Sequence, residues 1–320
     1  MNHAVIWKAG YVLAIVCPGQ GSQTPGFLAP WLELPSVAGH LASLSEIAGI
    51  DLTAHGTTSD EDTIKDTAVA QPLIVAAGLV AAKSLFDVEL STLPVILAGH
   101  SVGEITASAL AGVLTEKEAM TFVRVRANSM AEAAAVTPTG MSAVVGGDPA
   151  EVLATIEAAG ATPANVNGAG QVVAAGTFEQ LKALAENPPA KARVIPLKVA
   201  GAFHTSHMAP AVSALEALKP ELQPQAPEVP LLSNFDGQEV TDGAAAVDRL
   251  IAQVSRPVRW DQCMESLVQR GVTGLIELAP AGTLAGLAKR GMPGVKTVAV
   301  KTPEDLSAAL ALFAELEGQA

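Results

Sequence analysis

The sequence predicts an α/β fold with a mostly parallel sheet, and a smaller β-α-β-β-α-β unit inserted into it. Three observations point there. Short apolar runs end at turn residues, longer helical patterns separate them, and the rhythm changes midway along the chain. "YVLAIVC" (11–17) reads as a buried strand. It is too short for a secretory leader and runs into "PGQGSQ" without a small-x-small cleavage site. "QPLIVAAGLVAAKSLF" (71–86) reads as a helix with Pro72 in its first turn, and "LPVILAG" (93–99) as the next strand. "SVGEITASALAG" (101–112) comes after it as a helix ended by Gly112. "TEKEAMTFVRVRANSMAEAAA" (115–135) is a helix whose Thr115 and Glu118 have capping-box spacing.

The middle segment is denser. "MSAVVGG" (141–147) predicts a strand, and "DPAEVLATIEAAG" (148–160) a helix capped by Asp148 with Pro149 behind it. "TPANVNG" (162–168) and "QVVAAG" (171–176) predict two strands, "TFEQLKALAEN" (177–187) a helix, and "RVIPLKV" (193–199) a strand. That is the ferredoxin-like order. The expected division is a ferredoxin-like subdomain at 139–202, set into a main domain made of 1–138 and 203–320.

Bulk composition narrows the function. Of 320 residues, 49% are hydrophobic and 16% charged, enough apolar material for a sizeable core. The net charge of −13 argues against nucleic acid, whose phosphates need a basic surface. The two cysteines, Cys17 and Cys263, are far apart, which fits reduced buried thiols in a cytoplasmic protein rather than a disulfide framework. No stretch is expected to span a bilayer.

"GHSVG" (99–103) fits G-x-S-x-G with a strand before it and a helix after it. Ser101 is then either a nucleophile at a sharp strand-to-helix turn, or one residue of a surface turn. A nucleophile needs a base. His100, on the strand end beside the serine, is expected to point away. His204 in "GAFHTSHM" (201–208) is the better base, because it sits on a loop between rigid elements, with Thr205 or Ser206 able to cap the next helix. His207 reads as a surface or packing residue. Between Ser101 and His204 the only aspartate, Asp148, is already used as a cap, so a dyad is more legible than a triad.

The 115–135 helix carries two arginines. Arg126 falls on the apolar stripe of Ala119, Val123, Ala127, Met130 and Ala134. Arg124, about 200° around the helix, falls on the face of Lys117 and Asn128, expected to be solvated. A buried arginine needs an anion. Two partners fit: an internal carboxylate, or a substrate carboxylate gripped through two N–H groups.

Together these motifs resemble the malonyl-CoA:acyl carrier protein transacylase family of bacterial fatty-acid synthesis, cousins of polyketide-synthase acyltransferase domains. The resemblance rests on "PGQGSQ" (18–23), "GHSVGE" (99–104), "VRVRA" (123–127), "PANVN" (163–167), "GAFH" (201–204), "SNFDG" (233–237), "RPVRW" (256–260) and "ELAPAGTLAGLAKR" (277–290), which cover nearly the whole chain in the family's order. It implies an α/β-hydrolase-like domain with the ferredoxin-like insert. It also implies Ser101 as the acylated nucleophile, His204 as its base, backbone N–H groups of Gln20 and Val102 as oxyanion hole, and Arg126 on the malonyl carboxylate. The Gln253 carbonyl would orient His204, in place of a triad acid. Asn165, Asn167 and Asn234 match family asparagines near the cleft, and Phe203 a residue that discourages an α-methyl branch or simply packs beside the histidine. Implied partners are malonyl-CoA and acyl carrier protein. No metal or cofactor is implied beyond the coenzyme A thioester substrate, and the expected state is a monomer.

The departures are Arg256 and Arg259, where the family often has Asn and Gln, and a longer segment before Tyr11. Glu104 reads as a first-turn residue favourable to the helix dipole. Lys289 and Arg290 are candidates for carrier docking. A serine esterase or thioesterase, and a non-catalytic carrier-binding module, are the competing functions that the same residues admit.

Overall fold

The computed structural model describes residues 13–317. Its strands, in chain order, are β1 (Leu13–Cys17), β2 (Val95–Gly99), β3 (Thr139–Gly146), β4 (Thr162–Gly168), β5 (Gln171–Thr177), β6 (Ala192–Pro196), β7 (Leu231–Leu232), β8 (Glu239–Val240), β9 (Val258–Arg259), β10 (Gly274–Glu277) and β11 (Lys296–Ala299). Six of them form a sheet in the order β11-β10-β1-β2-β7-β8, parallel except for the β7–β8 pair. In β1, Leu13, Ile15 and Cys17 join the core on one face of the sheet, while Ala14 and Val16 join a second core on the other. Period-two alternation forces this division on a strand covered on both sides. Tyr11 and Val12 of the expected first strand, and the segment preceding them, lie outside the described residues.

The second sheet runs β6-β3-β5-β4-β9. β3 pairs antiparallel with β5 and β6, and β5 with β4. One face packs Val144, Val172 and Ala174 against Val152, Ile156, Leu181 and Leu184 of the Pro149–Ala158 and Phe178–Glu186 helices. The opposite face turns Met141, Val173 and Ala175 toward the main core. The order from β3 to β6 is β-α-β-β-α-β, with Asp148 capping the first helix as its spacing predicts and Thr177 capping the second with Gln180 in a capping box. The sequence pattern predicts no strand beyond residue 199, so β7, β8, β10 and β11 of the first sheet and β9 of this one were not expected. β9 comes from beyond the inserted segment and pairs parallel with β4, Asn165 beside Val258 and Val166 beside Arg259.

Other differences have local causes. The helix expected at 71–86 spans Thr67–Leu85, because the Asp66 side chain accepts the Ala68 N–H at 2.8 Å and starts it early. Pro72 therefore lies inside the helix, not in its first turn. This 19-residue helix, of mean hydropathy 1.6, is long and apolar enough to cross a membrane, contrary to the sequence expectation. Its composition has a simpler origin here: most of its side chains are buried in the core. Arg124 is not solvated either. It is half-buried and donates to the Ile47 carbonyl at 2.9 Å, near the C-terminus of the Val37–Ala48 helix, where a cation suits the helix dipole.

The loops after β1, β2, β7 and β10 all leave the carboxyl ends of parallel strands. A cleft at that edge of the sheet is the position where open α/β sheets bind ligands.

Candidate active site

β2 delivers Ser101 at a turn so tight that side chains are excluded on both sides of it. A Cβ on Gly99 would lie 2.2 Å from the Gly103 carbonyl carbon, and one on Gly103 would lie 2.1 Å from the Cys17 carbonyl oxygen. Both glycines of G-x-S-x-G are therefore demanded by backbone contact. Ser101 itself has φ +52°, a left-handed conformation that costs a non-glycine residue on the order of 1–2 kcal/mol. The helix expected from residue 101 consequently begins at Gly103.

The strained turn presents the Ser101 hydroxyl to His204, Oγ to Nε2 at 2.7 Å. His204 also has a positive φ, +61°, and is buried. Its Nδ1–H donates to the Gln253 backbone carbonyl at 2.8 Å. That contact fixes the tautomer and leaves the Nε2 lone pair for the serine proton. Burial, aided by the positive charge of Arg126, pushes the imidazole pKa down to about 3, so the base is unprotonated at neutral pH.

Arg126 reaches the same hydroxyl from the other side, donating through Nη2 to Ser101 Oγ at 3.3 Å. The same Nη2 donates to Gln253 Oε1 at 2.8 Å, and Nη1 donates to Gln71 Oε1 at 2.6 Å. The guanidinium is 1% exposed, and its Nε–H has no partner among the described residues. Burial lowers its pKa to about 10, which still leaves it cationic at neutral pH. Of the two partners the sequence allowed, an internal carboxylate is not in contact: both amides and the hydroxyl are neutral. No anion touches the positive charge beside the nucleophile.

Sequence reasoning misses two residues of this cluster. Gln71 is a buried amide immediately before the apolar run 72–82 of the Thr67–Leu85 helix, and that position was its signal. Glu104, which the sequence presents as a first-turn residue serving the helix dipole, does more than that. It is 3% exposed, accepts the Asn234 N–H at 3.0 Å and receives the Gln253 side-chain amide. Burial raises its pKa to about 7 against the pull of the Ser233 hydroxyl and of those two donors. The loop that buries it comes from 130 residues away, which sequence spacing does not reveal.

Ser101 and His204 line a cleft of about 710 Å³ between the two sheets, together with Gln20, Gln71, Asn165, Asn167 and Phe203. Arg126 donates to two of these lining residues from behind. Gln20 is held by its side chain, which donates to Lys65 O and Thr67 Oγ1 at 3.4 Å each. Among the described residues neither its backbone N–H nor that of Val102 meets an acceptor, and Val102 stands at the open N-terminus of the Gly103–Leu110 helix. Asn165 Oδ1 is buried without a partner among the described residues. Asn167 is committed to its neighbours: Oδ1 meets His100 Nε2 at 2.8 Å, and Nδ2 donates to Gln171 at 2.9 Å. His100 thus points toward the second sheet, edge-on to Trp260. Asn234 is not on the cleft. It is fully buried behind it, donating to the Gly99 carbonyl and accepting from Gln253, where it ties β7 to β2. Arg256 and Arg259 are likewise away from the cleft lining. Arg256 lies over the Phe235 ring and Arg259 pairs with Asp261 at 2.8 Å. His207 is half-buried, its N–H capped by Thr205.

Residues 14–304 match the family model described as acyl transferase domain. The malonyl CoA-acyl carrier protein transacylase of Mycobacterium tuberculosis is 52% identical over 296 residues, covering 92% of this chain and 98% of that protein. The Escherichia coli K12 protein of the same name is 34% identical over 307 residues, covering 93% and 99%. The crystal structure of MCAT from Mycobacterium tuberculosis superposes with a TM-score of 0.89 at 51% identity, over 93% of this chain and 99% of that one. A malonyl-transacylase solved in complex with a type II polyketide-synthase acyl carrier protein superposes with a TM-score of 0.85 at 29% identity, over 94% and 99%.

Proposed function

Since this chain belongs to the malonyl-CoA:acyl carrier protein transacylase family, we propose that it moves a malonyl group from coenzyme A to the phosphopantetheine thiol of an acyl carrier protein through a malonyl ester on Ser101, supplying fatty-acid synthesis. The observation that carries the residue roles is the convergence on one hydroxyl: a neutral imidazole at 2.7 Å and an unneutralised guanidinium at 3.3 Å. The first makes the oxygen nucleophilic. The second makes the site selective for an acyl group that brings its own carboxylate.

In the first half-reaction Nε2 of His204 takes the Ser101 proton as Oγ attacks the thioester carbonyl. The Gln20 and Val102 N–H groups receive the developing oxyanion, a role that suits their free donors. The tetrahedral intermediate collapses, the C–S bond breaks, and the imidazolium returns its proton to the coenzyme A thiolate. In the second half-reaction the carrier's thiol loses its proton to His204 and attacks the ester, and Ser101 leaves with the proton restored. Throughout, the malonyl carboxylate lies on Arg126. A short apolar acyl group leaves that charge buried and unpaired, which disfavours it. Phe203, with Met130 and Met141, walls the acyl end of the cleft, and Asn165 Oδ1 offers an acceptor to an amide N–H of the pantetheine arm.

The same reading divides the chain into a catalytic domain, 1–138 with 203–320, and a subdomain at 139–202. It needs no cofactor, places the protein in the cytoplasm as a monomer, and gives the exposed Lys289 and Arg290 to the acidic carrier. Labelled malonyl-CoA tests it. Label should stay on Ser101 in the absence of carrier and move to the carrier thiol on addition. Rapid release as free malonate would assign a hydrolase instead, and no label at all a binding protein.

A further inference from the structure

Glu104 has no part in the chemistry above, yet it is a buried carboxylate one amide away from the buried guanidinium. Gln253 is that amide. Its Nε2 donates toward Glu104 Oε2, and also lies 3.2 Å from both Ser101 O and Asn234 Oδ1, three acceptors around one NH₂ group. Its Oε1 is thereby turned to Arg126. The remaining Glu104 oxygen is occupied by the Asn234 N–H. From these contacts we propose that Glu104 is a positioning residue for substrate selection: a counter-ion held one amide away from Arg126, which fixes the Gln253 side chain so that the guanidinium is oriented but never neutralised.

The arrangement answers a physical difficulty. A buried cation without an anion is costly, and in a directly paired one the charge that would attract a substrate carboxylate is already neutralised. Relaying the pair through an amide places a carboxyl group within coulombic reach of the guanidinium while Arg126 keeps its grip for an incoming carboxylate. The amide also has only one productive orientation. Turned over, its NH₂ would face the guanidinium donors and its oxygen would face the carboxylate.

Glu104→Gln tests the relay at constant shape. A carboxamide there turns its NH₂ toward either the Asn234 N–H or the Gln253 NH₂, and the Ser233 hydroxyl, which can rotate to accept, offsets only part of that conflict. The second contact is relieved only by flipping Gln253 against Arg126. Two rates are measured: kcat/KM for Ser101 acylation by malonyl-CoA, and the rate of Ser101 labelling by a fluorophosphonate, which needs the serine and histidine but carries no carboxylate. The expected result is a loss of about ten- to a hundredfold for malonyl-CoA, the scale of a hydrogen bond to a charged group, with labelling changed by less than about threefold. Equal losses in both rates, or no loss in either, would overturn the proposal.

A second variant decides the matter even where the first folds poorly. In Glu104→Gln with Gln253→Glu the carboxylate moves one link inward, accepting from the residue-104 amide and pairing directly with Arg126. This variant should accept malonyl-CoA poorly relative to its own rate of fluorophosphonate labelling; a ratio of the two rates equal to that of the unmodified protein would refute the relay. The proposal rests on Arg126 holding the substrate carboxylate, so Arg126→Ala is run alongside. Unchanged malonyl kinetics in that variant would remove the clamp itself. A loss there with none in Glu104→Gln would remove only the role of Glu104.

Discussion

His204 and Arg126 make an instructive pair. Both are buried, both reach the Ser101 hydroxyl, and both are anchored on Gln253. They use different parts of it. The imidazole is held by the backbone carbonyl, the guanidinium by the side-chain amide. A backbone anchor survives substitution of the residue that supplies it, whereas a side-chain anchor does not. The reactive half of the site is thus built into the chain path, while the selective half is written in side chains and open to change.

The largest effect should come from the reactive half. His204→Ala removes the base for both half-reactions, and kcat for malonyl transfer is expected to fall by about 10²–10⁴, with fluorophosphonate labelling of Ser101 falling in parallel. Parity of the two losses is the diagnostic; a fall in malonyl transfer alone would show that the histidine serves selection.

Arg126→Ala should separate the two assays. Malonyl-CoA acylation is expected to drop by about 10–10³-fold, the range for losing charge-assisted hydrogen bonds, while labelling changes little and acetyl-CoA improves relative to malonyl-CoA. A competition assay with both thioesters reads the ratio directly.

Gln253→Ala cuts between the anchors. The carbonyl stays, the amide goes, and malonyl acylation should fall about tenfold with labelling nearly retained. If labelling collapses as far as in His204→Ala, the amide is needed to place the backbone, and the two halves are not separable.

The smallest effect is a flat line. An ordinary histidine base, with a pKa near 6.5, would cost fluorophosphonate labelling about tenfold per pH unit below that value. Burial and Arg126 depress His204 to about 3, so the neutral, active form is kept above that value and lost as pH falls through it. Labelling should therefore change little between pH 8 and pH 5. A tenfold fall in that range would mean the imidazole is better solvated than its surroundings imply.

Much of this was legible in the sequence because it depends on local rules. Asp148 and Thr115 cap helices with their own neighbours, so those two helices could be placed directly. Arg126 betrayed itself by helical periodicity, and Ser101 by glycines that the turn requires. What could not be read depends on distant chain segments. Whether Glu104 faces water is decided by the loop at Asn234, whether Arg124 is solvated by the carbonyl of Ile47, and whether Asn234 touches the cleft by how β7 meets β2. β9, two residues long, has too little pattern to announce a strand at all.

That short strand has a mechanical consequence. Through β9 the second sheet is clamped to the chain only five residues beyond Gln253, and the clamped partner of Val258 is Asn165, on the cleft wall. Wall and histidine anchor therefore belong to one frame. The pairing that supports the wall and the carbonyl that aims the base lie on one short stretch of chain, so the distance between cleft wall and imidazole is set locally rather than by the packing of remote elements.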